Sequence, residues 1–151
     1  MEERTLTSRL LPAGERAGVS SARARTATRT LLARLGVPAA GVDDVVIVVT
    51  ELVTNARRHA GGATGFAITA RPGTGTVTVE VSDRVSRVPE LRTPAPGRPG
   101  GFGWRLVQDL TDTVRISAHS RNGCGGGKTV TATFTGERLG FPGAQPVARS
   151  R

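Results

Sequence analysis

Glu51, Asn55 and His59 recur every fourth position in an otherwise apolar run. On a helix this spacing sets them in one polar stripe. Such a stripe serves either as a solvent-facing edge or as the wall of a polar site, and the spacing alone accommodates both. The second reading carries a definite chemistry. The amide oxygen of Asn55 is a hard ligand that suits Mg²⁺, and the Glu51 carboxylate one turn away can orient or deprotonate a hydroxyl nucleophile. Asp83 closes an alternating segment. There it can accept a hydrogen bond from an exocyclic amine such as that of adenine, or it can simply form a turn or cap a helix. Gly100-Gly101-Phe102-Gly103 lead into a helical pattern, offering bare backbone N–H groups and a helix N-terminus to phosphate. Arg92, Arg98 and Arg105 lie close by in sequence. They can screen phosphate charge, although solvation at the surface accounts for most arginines.

These residues need elements to hold them. Arg4 to Leu11 alternate imperfectly up to Pro12, which predicts a short edge strand. Gly14 to Leu35 show a helical recurrence stopped by Gly36. After a turn over Pro38 to Gly41, Asp43 or Asp44 is expected to cap a second helix. The β-branched run Val45 to Val49 reads locally as a strand, but it continues without Gly or Pro as far as Ala60. That length exceeds an ordinary strand and predicts a helix with valines packed all round. Gly65 to Arg71 and Thr76 to Ser82 alternate about Pro72-Gly73-Thr74-Gly75, an antiparallel hairpin. Asp83 to Gly101 read as a long loop of the kind used for lids and binding segments. A helix from about Gly103 to Leu110, strands Val114 to His119 and Thr129 to Phe134, and a frayed tail from Gly136 complete the chain.

The 151 residues suit one domain with a real core, expected over residues 1–136 with a flexible tail over 137–151. A net charge of +9 attracts anions of any kind. Lys128 is the sole lysine, so the basic excess is an arginine bias. With 3% aromatics and no Tyr, stacking platforms for single-stranded nucleic acid are scarce, which disfavours a nucleic-acid partner. Cys124 stands alone, so there is no internal disulfide and no thiol cluster for zinc. Neither a signal-peptide core nor a membrane-spanning run is legible, and a cytoplasmic protein with no membrane partner is expected.

The order and spacing of the motifs resemble the GHKL superfamily of ATPases, in particular its small histidine-kinase-like branch that contains anti-sigma serine kinases. The matching segments are the N box Glu51 to Ala60, the aspartate box Val79-Glu80-Val81-Ser82-Asp83, the glycine box Gly101-Phe102-Gly103-Trp104-Arg105-Leu106-Val107 and the closing segment Gly127-Lys128-Thr129-Val130. The resemblance implies a Bergerat ATP-binding fold, an α/β two-layer sandwich with a mixed, mainly antiparallel sheet covered on one face by three helices. It implies ATP and Mg²⁺ as ligands. Asn55 would hold the metal, Glu51 would act as base and Asp83 would read adenine. Gly101, Phe102, Gly103 and Trp104 would form the lid, Thr129 would support adenine recognition, and Arg58 and His59 would sit at the end of the site helix. As partners it implies a STAS-type antagonist carrying the accepting serine, an RNA polymerase sigma factor and a second copy of the chain. A non-catalytic module that binds ATP and sequesters a regulator keeps the same nucleotide residues without needing Glu51. The chain departs from the family pattern at Asp83-Arg84-Val85, where many members carry a glycine two residues after the aspartate, and at the bulky Trp104.

Overall fold

The computed structural model describes residues 4–14, 17–85, 102–119 and 126–140. The chain begins with β1 (Leu6–Leu10) and two long helices, α1 (Ser21–Arg34) and α2 (Ala39–Ala60). The hairpin β2 (Gly65–Arg71) and β3 (Thr76–Asp83) follows, then α3 (Phe102–Leu110), β4 (Thr113–Ala118), β5 (Lys128–Thr135) and the single turn α4 (Gly136–Leu139). The strands form one sheet in the order β1-β2-β3-β5-β4. Every pairing among the described residues is antiparallel, where the sequence suggests a mixed, mainly antiparallel sheet.

Alternation along the strands sorts the two faces. Val77, Val79 and Val81 of β3 and Val130, Ala132 and Phe134 of β5 are buried, while Thr76, Thr78, Glu80 and Ser82 point the other way. The buried face packs beneath the helices through Leu31 and Leu32 of α1 and Val45, Val48, Val49 and Leu52 of α2. The valine run is helical, as its length requires, and only Ile47 of that run is exposed. Burial against sheet and neighbouring helix therefore outweighs the modest cost of β-branched side chains in a helix.

Three boundaries differ from the sequence expectation. α1 begins at Ser21 rather than near Gly14, because the Ser20 hydroxyl accepts the N–H of Arg23 and caps the helix there. α2 begins at Ala39 with Pro38 in the cap position and no side-chain cap bond, ahead of Asp43 and Asp44. Pro38 already holds a helix-compatible φ of −57°, and two alanines follow it. Residues 137–139, assigned to the tail from sequence, belong to α4, where Leu139 is buried in the common core. Residues 141–151 lie outside the described residues. Among the described residues no helix is long and apolar enough to cross a membrane.

Candidate functional site

α2 carries the polar stripe on its solvent side of the core. Leu52, Val53 and Ala56 are buried, Glu51 and Asn55 are half-buried, and Arg58 and His59 are exposed in the last turn. At that end the Arg58 guanidinium complements the helix dipole. The Glu51 carboxylate lies directly against Cα of Gly103, so close that a Cβ at position 103 would overlap Oε2. The N box and the first turn of α3 are thus in contact, and Asn55 sits one turn further along the same face of α2. From the end of α2 the chain reaches Thr64, whose N–H donates to the carbonyl of Ser82 at 2.7 Å. That bond ties the end of β3, next to Asp83, to the segment that follows α2.

Asp83 occupies a core-facing position of β3. Its Oδ1 accepts the N–H of Val85 at 2.9 Å. The ammonium of Lys128, opposite it on β5, contacts Oδ2 at 2.9 Å and Oδ1 at 3.0 Å, and donates to the carbonyl of Val85 at 2.9 Å. Both side chains are only 6% exposed. Gly127, next to Lys128, lies against the Asp83 carbonyl with no room for a Cβ.

Thr129, expected to support adenine recognition, pairs with Ser82, the neighbour of Asp83 on β3. Thr129 faces the opposite side of the sheet from Asp83, where its hydroxyl shares hydrogen bonds with Ser82 Oγ at 2.8 Å and His119 Nε2 at 2.6 Å. A strand presents alternate residues to opposite faces, so one step in register exchanges the two positions. Lys128 was the residue missed. Its signal was available, since it shares the parity of Val130, Ala132 and Phe134, the positions that read as core.

Gly103 and Trp104 are half-buried at the start of α3, with Trp104 packed against the core cluster, and Arg105 is exposed. The bulky indole thus serves packing here. Gly101, Arg92 and Arg98 lie outside the described residues, as does the side chain of Phe102. A cavity of about 460 Å³ lined by Val19, Ser20, Val53, Arg57 and Gly62 lies elsewhere. Val53 and Arg57 are two positions either side of Asn55, which on a helix puts them on the far side of α2 from the stripe.

The donor set bears on metal chemistry. Among the described residues no group of three or more His, Cys, Asp or Glu side chains could hold an ion. Among those residues a cage made of protein alone is therefore not on offer. Mg²⁺ is commonly held by one or two protein oxygens together with substrate phosphates, and the Asn55 amide oxygen on a half-buried helix face fits that mode.

A five-stranded antiparallel sheet under helices, with Glu51 and Asn55 on a helix beside a glycine-led helix start, defines an ATPase-type domain of the GHKL kind. The chain belongs to the histidine kinase-like ATPase domain family, whose model matches residues 16–134. Among solved structures it is similar to the RsbU and RsbW domains of Rv1364c from Mycobacterium tuberculosis, at 24% identity and a TM-score of 0.59. That alignment covers 86% of this chain and 32% of the other, so the chain spans about a third of that relative. It is also similar to the SiaB-SiaC complex from Pseudomonas aeruginosa, at 14% identity and a TM-score of 0.60, over 85% of this chain and 89% of the other. At these identities the likeness speaks to the fold. No curated protein matches the chain. Family membership implies ATP as the ligand of the domain.

Proposed function

We propose that the protein is an ATP-dependent regulator that transfers the γ-phosphoryl group of MgATP to a serine of a STAS-type partner protein. The observation that carries this reading is the Glu51 carboxylate held against Gly103 at the head of α3, with Asn55 on the next turn of the same helix face. That arrangement supports a base, a metal ligand and a phosphate-binding helix start drawn from α2 and α3. Bound MgATP would supply the phosphoryl group and neutralise the charge that develops on it during transfer. Asn55 would hold the metal through its amide oxygen, and the backbone N–H groups at the start of α3 would donate to the phosphates. Glu51 takes the proton from the attacking serine hydroxyl, and Asp83 accepts a hydrogen bond from the adenine amine.

One of the similar structures is itself a complex of two proteins, which supports a protein as the partner. An RNA polymerase sigma factor as second partner extends the same reading, as does a homodimer built on β1. That strand lies at the sheet edge, and Leu11 beside it is 72% exposed.

Calorimetry of MgATP binding tests the premise. Wild type binds in a Mg²⁺-dependent manner, and Asn55→Ala and Asp83→Ala each weaken binding by about tenfold or more, the equivalent of one lost charge-assisted bond. Equal affinity in all three proteins would remove the site. Glu51→Ala then separates catalysis from sequestration. It keeps ATP binding but loses about 10²–10⁴ in the rate of transfer to the serine, as expected for a removed general base. Unchanged transfer by that variant would sink the assignment of the base.

A further inference from the structure

The Asp83 carboxylate is already engaged. Val85 N–H and the Lys128 ammonium both reach Oδ1, the ammonium also reaches Oδ2, and the pair is 94% removed from solvent, each side chain being 6% exposed. A carboxylate offers about four acceptor positions, and the ammonium covers both of its oxygens. The contacts of 2.9 and 3.0 Å are those of a charge-assisted bond. An exocyclic amine is the same kind of donor without the charge, so it competes for this acceptor at a disadvantage.

We propose that Lys128 is the resident occupant of the acceptor that reads the base: its ammonium holds Asp83 in the nucleotide-free protein, and adenine binds by displacing it. Lysine is suited to this. Its head is a point charge on a flexible four-carbon stem, so it can leave while the β5 backbone stays in register. The third donation, to the Val85 carbonyl, gives the head a neighbouring acceptor as it moves. Nor does the pair need to be explained by stability, because a buried ion pair repays little more than its own desolvation. The consequence is selective. Lys128 lowers affinity for the base and leaves affinity for the phosphates alone, so it sets the ATP concentration at which the site fills.

This inference rests on the ATP-binding reading above, and the chain provides a clean probe for it because Lys128 is the sole lysine. Protein labelled with ¹³C,¹⁵N-lysine has one lysine side-chain signal. Saturating MgATP is expected to shift that signal, whereas magnesium tripolyphosphate, which carries no base, leaves it in place. Lys128→Met keeps the buried stem and removes the charge. It is expected to bind MgATP about tenfold tighter with tripolyphosphate affinity unchanged. A lysine signal unmoved at full ATP occupancy overturns the proposal without reliance on any variant, and so does weaker ATP binding by a cooperatively folded Lys128→Met. If Asp83→Ala binds ATP as wild type does, the base is read elsewhere, and this proposal falls together with that role of Asp83. If Asp83→Ala loses binding while Lys128→Met gains none, only the displacement idea falls.

Discussion

Gly103 and Gly127 both lack room for a Cβ, but what blocks each differs, and the difference predicts opposite outcomes. At Gly103 the obstacle is the end of the Glu51 side chain, which can swing away. Alanine in a helix gains about 1 kcal/mol over glycine, so Gly103→Ala should change unfolding free energy by less than about 1 kcal/mol. The displaced carboxylate should nonetheless lower phosphoryl transfer by more than tenfold, as a small misplacement of a reacting group does. At Gly127 the obstacles are backbone atoms, the Asp83 carbonyl group and Arg84 Cα at 3.0 Å. Those cannot move without opening the β3–β5 pairing, so Gly127→Ala should destabilise the fold by about 1–3 kcal/mol and weaken ATP binding together with it. Denaturant unfolding of both variants, alongside a transfer assay, checks the contrast. Equal destabilisation by the two would contradict it. Glu51, Asn55 and Asp83 stand out in the sequence by type and spacing, and the structure sets Glu51 against Gly103, Asn55 one turn further along α2, and Asp83 buried at the end of β3. The partner of Asp83 was not legible there, because Thr129 and Lys128 are adjacent and only strand parity tells them apart.

Among the elements, α2 was legible because its uninterrupted length outvoted the β-branched run, whereas its start was hidden. Asp43 and Asp44 resemble caps, yet they lie inside the helix, where Asp43 makes only a surface contact of 3.6 Å with Arg29. Nothing in the local pattern says that Pro38 already holds the cap position. α4 was invisible for another reason: four residues between Gly136 and Gly140 show no period, and the turn exists because Leu139 finds a place in the core. Its backbone carbonyl also packs where a Cβ on Gly41 of α2 would stand. α4 therefore ties the end of β5 to the start of the site helix. Leu139→Ala should cost about 2–5 kcal/mol, the range for emptying a buried leucine site. Urea unfolding measures it. A loss below about 0.5 kcal/mol, typical of a surface change, would return residues 136–139 to the tail.

At the scale of the whole molecule the second face of the sheet and the net charge of +9 remain to be accounted for. Among the described residues, the face opposite the helices carries Thr7, Arg9, Thr69, Glu80, Arg115, Thr131 and Thr133, a polar surface whose arginines can draw phosphate backbones. Attraction is not recognition, however. Single-strand binders stack bases on aromatic side chains at about 1–3 kcal/mol per base. Among the described residues Phe66 and Phe134 are buried in the core, and Trp104 is packed against it. The face thus has the electrostatic half of a nucleic-acid site without the stacking half. A single-stranded oligonucleotide should accordingly bind only at low ionic strength and dissociate by about 0.2 M salt, where affinity resting on phosphate contacts has largely collapsed. On the proposed reading, MgATP held by Asn55, Asp83 and the start of α3 should lose far less over the same titration. Oligonucleotide binding that survives at physiological salt would mean that this face is a site in its own right, and the arginine bias could no longer be set aside as a solvated surface.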